Sequence, residues 1–418
     1  MIGGPQTGHW EEFEVLARTS EDSGQNGEPE ALVTAAVDRL LAEYPPATTP
    51  PRRFLAAQFD AGLAWVHFPA GHGGLGLPRR LAPMVTERLA RAGAPDGLMR
   101  NGIGYGMAAP TILAHGSPDQ RRRYLRRLFA CEDIWCQLFS EPGAGSDVAG
   151  LATRAVRDGD SWIVNGQKVW TTLAHVATQG LLLARTDPDA SKHRGLTYFV
   201  VDMRSPGVEV RPLRQLTGDA EFNEVHFADV RVPDSERLSE VGDGWRVALV
   251  TLMNERTTIG GTVGARGDGP IALAVDLWGR RPEHDPVSRD HLTRLWIDAE
   301  VHRLTALRAT GNARQGTPGS EGSIGKLAGA ELSQRVLDFC LTLAGPAGQL
   351  YGSYKMRAPD EMMSHTDDPR WWYLRSQAAT IEGGTSEVMR TIIGERVLGL
   401  PGDVRIDKDK PWSELPHS

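Results

Sequence analysis

Three short stretches combine residue types that could handle a ligand. Ser140-Glu141-Pro142-Gly143-Ala144-Gly145-Ser146-Asp147 sets two hydroxyls around two glycines. Glycine lets a backbone approach a ligand closely, and successive free N–H groups can form an anion nest. No P-loop lysine accompanies this stretch, and it does not lie in a βαβ unit. Val169-Trp170-Thr171-Thr172 offers a large flat indole beside hydroxyl donors, a pairing that suits a flat heteroaromatic cofactor. Ile381-Glu382-Gly383-Gly384-Thr385-Ser386-Glu387 places two glycines before a Thr/Ser helix cap, whose first N–H groups are free to face a ligand. Each stretch alone has an ordinary reading: an inter-domain turn, a core tryptophan, a helix start.

The elements that must position these residues change period twice along the chain. Residues 30–135 read as helices. One runs from Ala31 to Tyr44 and stops at Pro45-Pro46, one lies around Phe54, and one runs from Leu81 to Arg91. Ser117-Pro118-Asp119-Gln120 predicts a capped helix start. The five arginines that follow, Arg121, Arg122, Arg123, Arg126 and Arg127, read as a solvated face rather than a phosphate site. Residues 136–240 read as an antiparallel β-domain, with Asn165-Gly166 between Ser161–Val164 and Gln167–Trp170 predicting a hairpin. Residues 241–400 read as a helical bundle, with helices over Trp245–Leu277, Arg289–Arg314, Ser323–Leu343 and Thr385–Leu398. Residues 1–29 form an acidic tail, and residues 401–418 a polar, proline-bearing extended tail.

Composition bounds the reading. A chain of 418 residues suggests about three domains at roughly 150 residues each. Hydrophobic residues make up 40% and charged residues 24%, enough apolar material for packed cores. With 47 glycines and 27 prolines the chain is rich in turns. A net charge of −7 argues against a binder of nucleic acid or anionic membrane. Three cysteines exclude a disulfide framework and a Cys-rich zinc site, and no metal is expected. The first thirty residues hold seven acids against Arg18, unlike a secretory or transit leader, and no apolar run reaches membrane-spanning length. These features predict a cytoplasmic protein.

Taken together, in order, the stretches resemble the acyl-CoA dehydrogenase family. The resemblance runs from about Leu63 to Pro401 and also includes Gly71-His72-Gly73-Gly74-Leu75-Gly76, Asn165-Gly166-Gln167-Lys168-Val169-Trp170-Thr171 and Arg396-Val397-Leu398-Gly399. It implies a multi-domain α+β fold: an N-terminal all-α domain, a middle antiparallel β-domain and a C-terminal four-helix bundle. It implies FAD at the junction of the last two. The backbone of Phe139 and Ser140 is expected at the flavin's polar edge. Ser146 is expected near the pyrophosphate or the pantetheine arm of the thioester. Trp170 is expected against the isoalloxazine, with Thr171 beside it and Thr172 reaching towards N5. Thr385 and Glu387 are expected beside the adenosine part.

The family also implies an oligomer, a homotetramer or dimer of dimers, in which a neighbouring subunit completes the FAD site. Two motifs depart from the pattern for that contact. Gly279-Arg280-Arg281-Pro282-Glu283-His284 stands where the family has Arg-x-x-Phe-Gly, and Leu341-Thr342-Leu343-Ala344-Gly345 where it has Gln-x-x-Gly-Gly.

The family reaction removes the α-proton of an acyl-CoA while the β-hydride moves to flavin N5. It therefore needs a carboxylate facing the α-carbon. Many members carry that glutamate immediately before Gly-Thr-Ser, where this chain has Gly383; Glu382 comes one residue early. Isovaleryl- and long-chain-type members instead use a Glu-Arg on the first long helix of the bundle, matched here by Glu255-Arg256. Glu255 is therefore the expected base, with Glu382 the alternative and a neighbour of substrate. Arg256 is expected at the CoA arm or in an ion pair within the bundle. The Gly383 N–H, with a ribityl hydroxyl, is expected to hold the thioester oxygen and so acidify the α-proton.

The reading is thus an FAD-dependent dehydrogenase that makes trans-2-enoyl-CoA and passes electrons to an electron-transfer flavoprotein. Two other readings stand beside it: a relative with oxidase or monooxygenase chemistry, and a non-catalytic subunit of a heteromer.

Overall fold

The computed structural model describes residues 27–260, 264–314, 321–362, 366–402, 407 and 410–416; for 255–260, 310, 312–314 and 321 it describes the backbone only. Most of the acidic N-terminal tail therefore lies outside the described residues. The chain divides into two compact units, residues 1–96 with 312–318, and the remainder.

The first unit is helical. Helices α1 (Glu28–Glu43), α2 (Pro51–Asp60) and α3 (Ala82–Arg91) bury Val33, Val37, Phe54, Val85 and Leu89 in one apolar cluster. Its glycine loop is tight: a Cβ on Gly74 would stand 2.0 Å from the Phe68 carbonyl oxygen, so only glycine fits.

The second unit opens with α4 (Leu98–Ile103), α5 (Ala109–His115) and α6 (Pro118–Phe129). The Ser117–Gln120 capping box forms at the start of α6. The α6 arginines meet acids: Arg122 bridges Asp119, Arg123 bridges Glu236, and Arg127 bridges Asp133.

An eight-stranded sheet follows: β1 (Trp135–Leu138), β2 (Arg154–Asp158), β3 (Ser161–Thr172), β4 (Gln179–Arg185), β5 (Leu196–Asp202), β6 (Val208–Pro212), β7 (Phe222–Pro233) and β8 (Arg237–Leu238). Its order is β6-β7-β3-β2-β4-β5-β8, with β1 on β4. The sheet is mixed rather than wholly antiparallel. Strand β1 pairs β4 in parallel, and β2 meets β4 in parallel at Arg154 and Arg185. Parallel pairing needs a long crossover, and the chain between β1 and β4, which contains the β2–β3 hairpin, supplies it.

Asn165-Gly166 is not a hairpin turn. Strand β3 runs straight through it, and the turn lies earlier, at Gly159 (φ 64°) between β2 and β3. Asn165 faces a bulge in β7, where Ala228 and Asp229 together oppose it. Asn165 donates to the Asp229 carboxylate at 3.0 Å and accepts from the Asp229 N–H at 3.0 Å, while Asp229 takes φ 52°. A Cβ at Gly166 would stand 2.4 Å from Thr153 Oγ1.

The helical C-terminal region comprises α7 (Gly244–Gly260), α8 (Pro270–Gly279), α9 (Pro286–Arg314), α10 (Glu321–Ala344), α11 (Pro369–Ser376) and α12 (Ser386–Arg396). The single helix expected over Trp245–Leu277 is two. Gly267 and Gly269 adopt φ 78° and 77°, which a helix does not allow, and Pro270 restarts the chain at the first turn of α8. Ile271, Leu295, Val336 and Phe339 form the core of α8, α9 and α10.

The C-terminal tail is not merely extended. Pro411–Leu415 docks on the sheet, with the Trp412 N–H donating to Ala190 O at 2.9 Å and its indole N–H to Gly150 O at 3.1 Å. Among the described residues no helix is long and apolar enough to cross a membrane.

Candidate active site

The stretch Phe139–Asp147 leaves β1 and folds against β3. The Val169 N–H donates to Ser140 O at 2.8 Å, and Glu141 and Ala144 exchange backbone hydrogen bonds that tighten the turn. A buried ion pair fixes the rest. Lys168, fully buried on β3, donates to Phe139 O at 2.9 Å and to the Glu141 carboxylate at 2.8 Å. Glu141 also accepts from the N–H groups of Ala152 and Thr153, at 2.7 and 2.9 Å. Burial pushes the Glu141 carboxyl up, but the ammonium and the N–H donors outweigh it and hold it below the usual range. Phe139 is buried edge-on to Tyr198, with ring centroids 5.7 Å apart.

Between Lys168 and Thr171 β3 itself carries an extra residue against β7, which turns the strand over. Trp170 sits there at φ 59°, a backbone state costly for a bulky residue. It is 60% exposed, so it is not the core tryptophan its apolar neighbours allow. Its ring meets Phe222 edge-on at 6.0 Å. Thr171 is fully buried opposite Asn223, and neither Thr171 Oγ1 nor Asn223 Oδ1 has a partner among the described residues. Thr172 follows, half-buried and paired with Phe222. His175 Nε2 lies 2.7 Å from Pro359 O, which can only accept; Nδ1 is thus left to accept from the Asn223 amide at 3.1 Å.

The third stretch meets the second through Arg375 on α11. Its guanidinium stands over the Phe222 ring at 5.6 Å, bonds Glu221 at 3.1 Å and holds Glu382 in a fork at 3.0 and 3.1 Å. Trp170, Phe222, Arg375 and Glu382 therefore form an unbroken run of contacts from the end of β3 to the glycine turn. Gly383 and Gly384 take φ 63° and 99°. Thr385 caps α12 by accepting from the Val388 N–H at 3.2 Å, and Lys326 donates to Gly384 O. Glu387 is exposed in the first turn of α12.

Ser146 lines a cleft of about 1090 Å³ together with Lys192, His193, Arg194, Trp245 and Arg396. The His193 and Trp245 rings meet at 4.7 Å. The side chains of Glu255 and Arg256 lie outside the described residues. Their helix is anchored one turn earlier, where buried Thr251 bonds the hydroxyls of Tyr198 and Thr111, each at 2.9 Å. Position 255 lies one turn further along the Thr251 face of α7.

Glu141 and Lys168 lie inside motifs quoted above, yet nothing in their local pattern says that they pair. Arg375, Glu221, Asn223 and His175 carry no local signal at all.

The family models for the acyl-CoA dehydrogenase N-terminal, middle and C-terminal domains match residues 28–132, 136–230 and 242–398. Acyl-CoA dehydrogenase IpdE1 of Mycobacterium tuberculosis is 40% identical over 82% of this chain and 86% of its own length. Acyl-CoA dehydrogenase FadE34 of the same organism is 40% identical over 85% of this chain, which spans about half of that relative, 47% of its length. The crystal structure of the ChsE4-ChsE5 complex from Mycobacterium tuberculosis superposes with a TM-score of 0.67 at 27% identity, covering 92% of this chain and all of that one. With all three domains matched in order, this chain belongs to the acyl-CoA dehydrogenase family of oxidoreductases.

Proposed function

We propose that the protein converts an acyl-CoA thioester to the trans-2-enoyl-CoA, with FAD as cofactor and Glu255 as base. The observation that carries this reading is the Trp170–Phe222–Arg375–Glu382 run. It joins an outward-turned indole to a glycine turn at positive φ, and it occupies Glu382 with a bidentate arginine. A carboxylate engaged by both guanidinium nitrogens is turned to Arg375 rather than to a substrate α-carbon, which supports Glu255 over Glu382 as the base.

The residues present fit a flavin. Trp170 offers a flat apolar face, Thr172 a hydroxyl, and the buried atoms Thr171 Oγ1 and Asn223 Oδ1 leave polar capacity that the chain does not use itself. Phe139, Ser140 and Ser146 would line one side of the cofactor; Thr385 and Glu387, at the start of α12, would meet its adenosine end. When bound, FAD supplies the acceptor for the β-hydride.

The protein's own part is to bind, orient and deprotonate. The Gly383 N–H holds the thioester oxygen and stabilises enolate-like charge, so the α-proton becomes acidic enough for Glu255. Ser146 and Arg256 hold the CoA arm. Arg194 and Arg396 line the same cleft as Ser146 and suit its phosphates, and the His193–Trp245 pair suits a purine ring. Electrons leave to an electron-transfer flavoprotein.

A second subunit of the family fold completes the cofactor site. The departures at Gly279–His284 and Leu341–Gly345 favour a partner of different sequence, as does the match to half of FadE34. Exposed Ile297, Val301, Leu304 and Leu307 on α9 offer it an apolar face.

Glu255→Gln should keep FAD and lose dehydrogenation by roughly two to four decades. Glu382→Gln should retain most activity. An active Glu255→Gln beside an inactive Glu382→Gln overturns the assignment. Anaerobic bleaching of the flavin by a panel of acyl-CoAs tests catalysis itself, and oxygen uptake by the reduced protein separates dehydrogenase from oxidase.

A further inference from the structure

Pro411–Leu415 lies outside the three family domain matches, yet it is hydrogen-bonded to two loops beside the sheet. Its anchor point is Arg185, the last residue of β4, which is 3% exposed. The guanidinium donates to Ala149 O at 2.6 Å, Leu151 O at 3.1 Å and Lys192 O at 3.2 Å. None of these acceptors is a carboxylate. Arg185 therefore works as a clip between two loops, 147–151 and 187–194.

Trp412 covers that clip. Its ring lies 4.4 Å from the Arg185 guanidinium carbon. Its indole N–H bonds Gly150 O on one loop at 3.1 Å, and its backbone N–H bonds Ala190 O on the other at 2.9 Å. Ser413 adds a bond from its N–H to Pro188 O at 2.8 Å. Both loops are walls of the cleft: one supplies Ser146 and Asp147, the other Lys192, His193 and Arg194. Asp147 reaches across to the Lys192 ammonium at 3.0 Å, and Asp407 of the tail bonds the same group.

We propose that the C-terminal segment is a strap that sets the spacing of these two loops for the phosphate-bearing end of acyl-CoA, with Trp412 as its positioning residue. The inference rests on the acyl-CoA reading above. Arg185 keeps three carbonyl acceptors only while water is excluded from them, and the indole excludes it while attracting the cation. Without the indole, water competes for the guanidinium, the loops loosen, and ligand binding must bear the entropy of ordering them. Among the described contacts of Asp407 and Pro411–Leu415 none reaches Trp170 or the Gly383 turn, so the chemical step is untouched.

The test compares acyl-CoA with the same acyl group on pantetheine, using the FAD-loaded protein. In Trp412→Ala, KM for the acyl-CoA should rise about tenfold, in line with loss of a desolvated cation–π contact and a hydrogen bond. Its kcat, its flavin spectrum and its KM for the pantetheine thioester should stay as in the wild type. Trp412→Phe keeps a ring over Arg185 and should recover most of the affinity. Equal shifts for both thioesters, no shift for either, or a fall in kcat with loss of FAD would each overturn the strap. A wild type inert towards both thioesters overturns instead the acyl-CoA reading on which the strap depends.

Discussion

The two protein faces that carry the proposed cofactor and substrate contacts are built on opposite principles. On the sheet side, Lys168 and Glu141 are sealed at 0% and 8% exposure, and their charges are met by one another and by backbone groups. On the bundle side, Arg375 serves Glu221, which is buried, and Glu382, which is 39% exposed, beside two glycines with positive φ. The first arrangement cannot yield without stranding a charge in apolar surroundings. The second can lose one arm to water at modest cost. The sheet side is thus a fixed reference surface, and the bundle side retains freedom at Gly383, the position proposed to hold a thioester oxygen.

The sharpest break of this contrast is Lys168→Met, which strands the Glu141 carboxylate. It should cost about 3–5 kcal/mol in urea unfolding, the usual price of orphaning a buried charge. Arg375→Met should cost less, roughly 1–3 kcal/mol, because the more exposed Glu382 rehydrates. If Arg375→Met proves the more damaging, the two sides have been ranked wrongly.

The smallest effect is in the acid limb of stability. Glu141 is held below its ordinary range, so its contribution is present above the unfolded carboxyl pKa and is lost only as pH falls through the lower folded value. Mild acid should therefore spare the sheet-side pair. His115 behaves differently: burial, then Arg246, lowers it to about 4, against an opposing pull from Asp243. The unfolded chain takes up that proton first. Its contribution is full above pH 6.5 and fades as pH falls towards 4, and His115→Gln should flatten this part of a Tm-versus-pH curve.

The helices and strands follow from local pattern wherever the cause is local. Ser117 and Gln120 cap α6 through neighbours three residues apart, and Thr385 caps α12 the same way. Asn165-Gly166 misleads because its partner is Asp229, 64 residues on, and a dipeptide rule cannot see a strand that arrives later. The break between α7 and α8 rests on glycines at positive φ, one of which, Gly267, lies against Trp296 from α9. The outward turn of Trp170 is not legible in its local pattern, since it depends on a kink that its sequence neighbours do not announce. The ion pair of Glu141 with Lys168, and the Arg375 fork, join residues whose types are plain but whose pairing is tertiary.

The irregularity of β3 between Lys168 and Thr171 has a consequence for how the chain can vary in length. It adds one residue to β3, so Lys168 before it and Thr171 after it are both buried although they stand three apart. Deleting one residue between Val164 and Thr171 would turn Lys168 towards solvent or Trp170 into the core, and no side-chain substitution could restore both. This strand is a ruler with one notch, closed to insertion and deletion there, whereas Pro411–Leu415 reads its position from a few discrete hydrogen bonds to two loops.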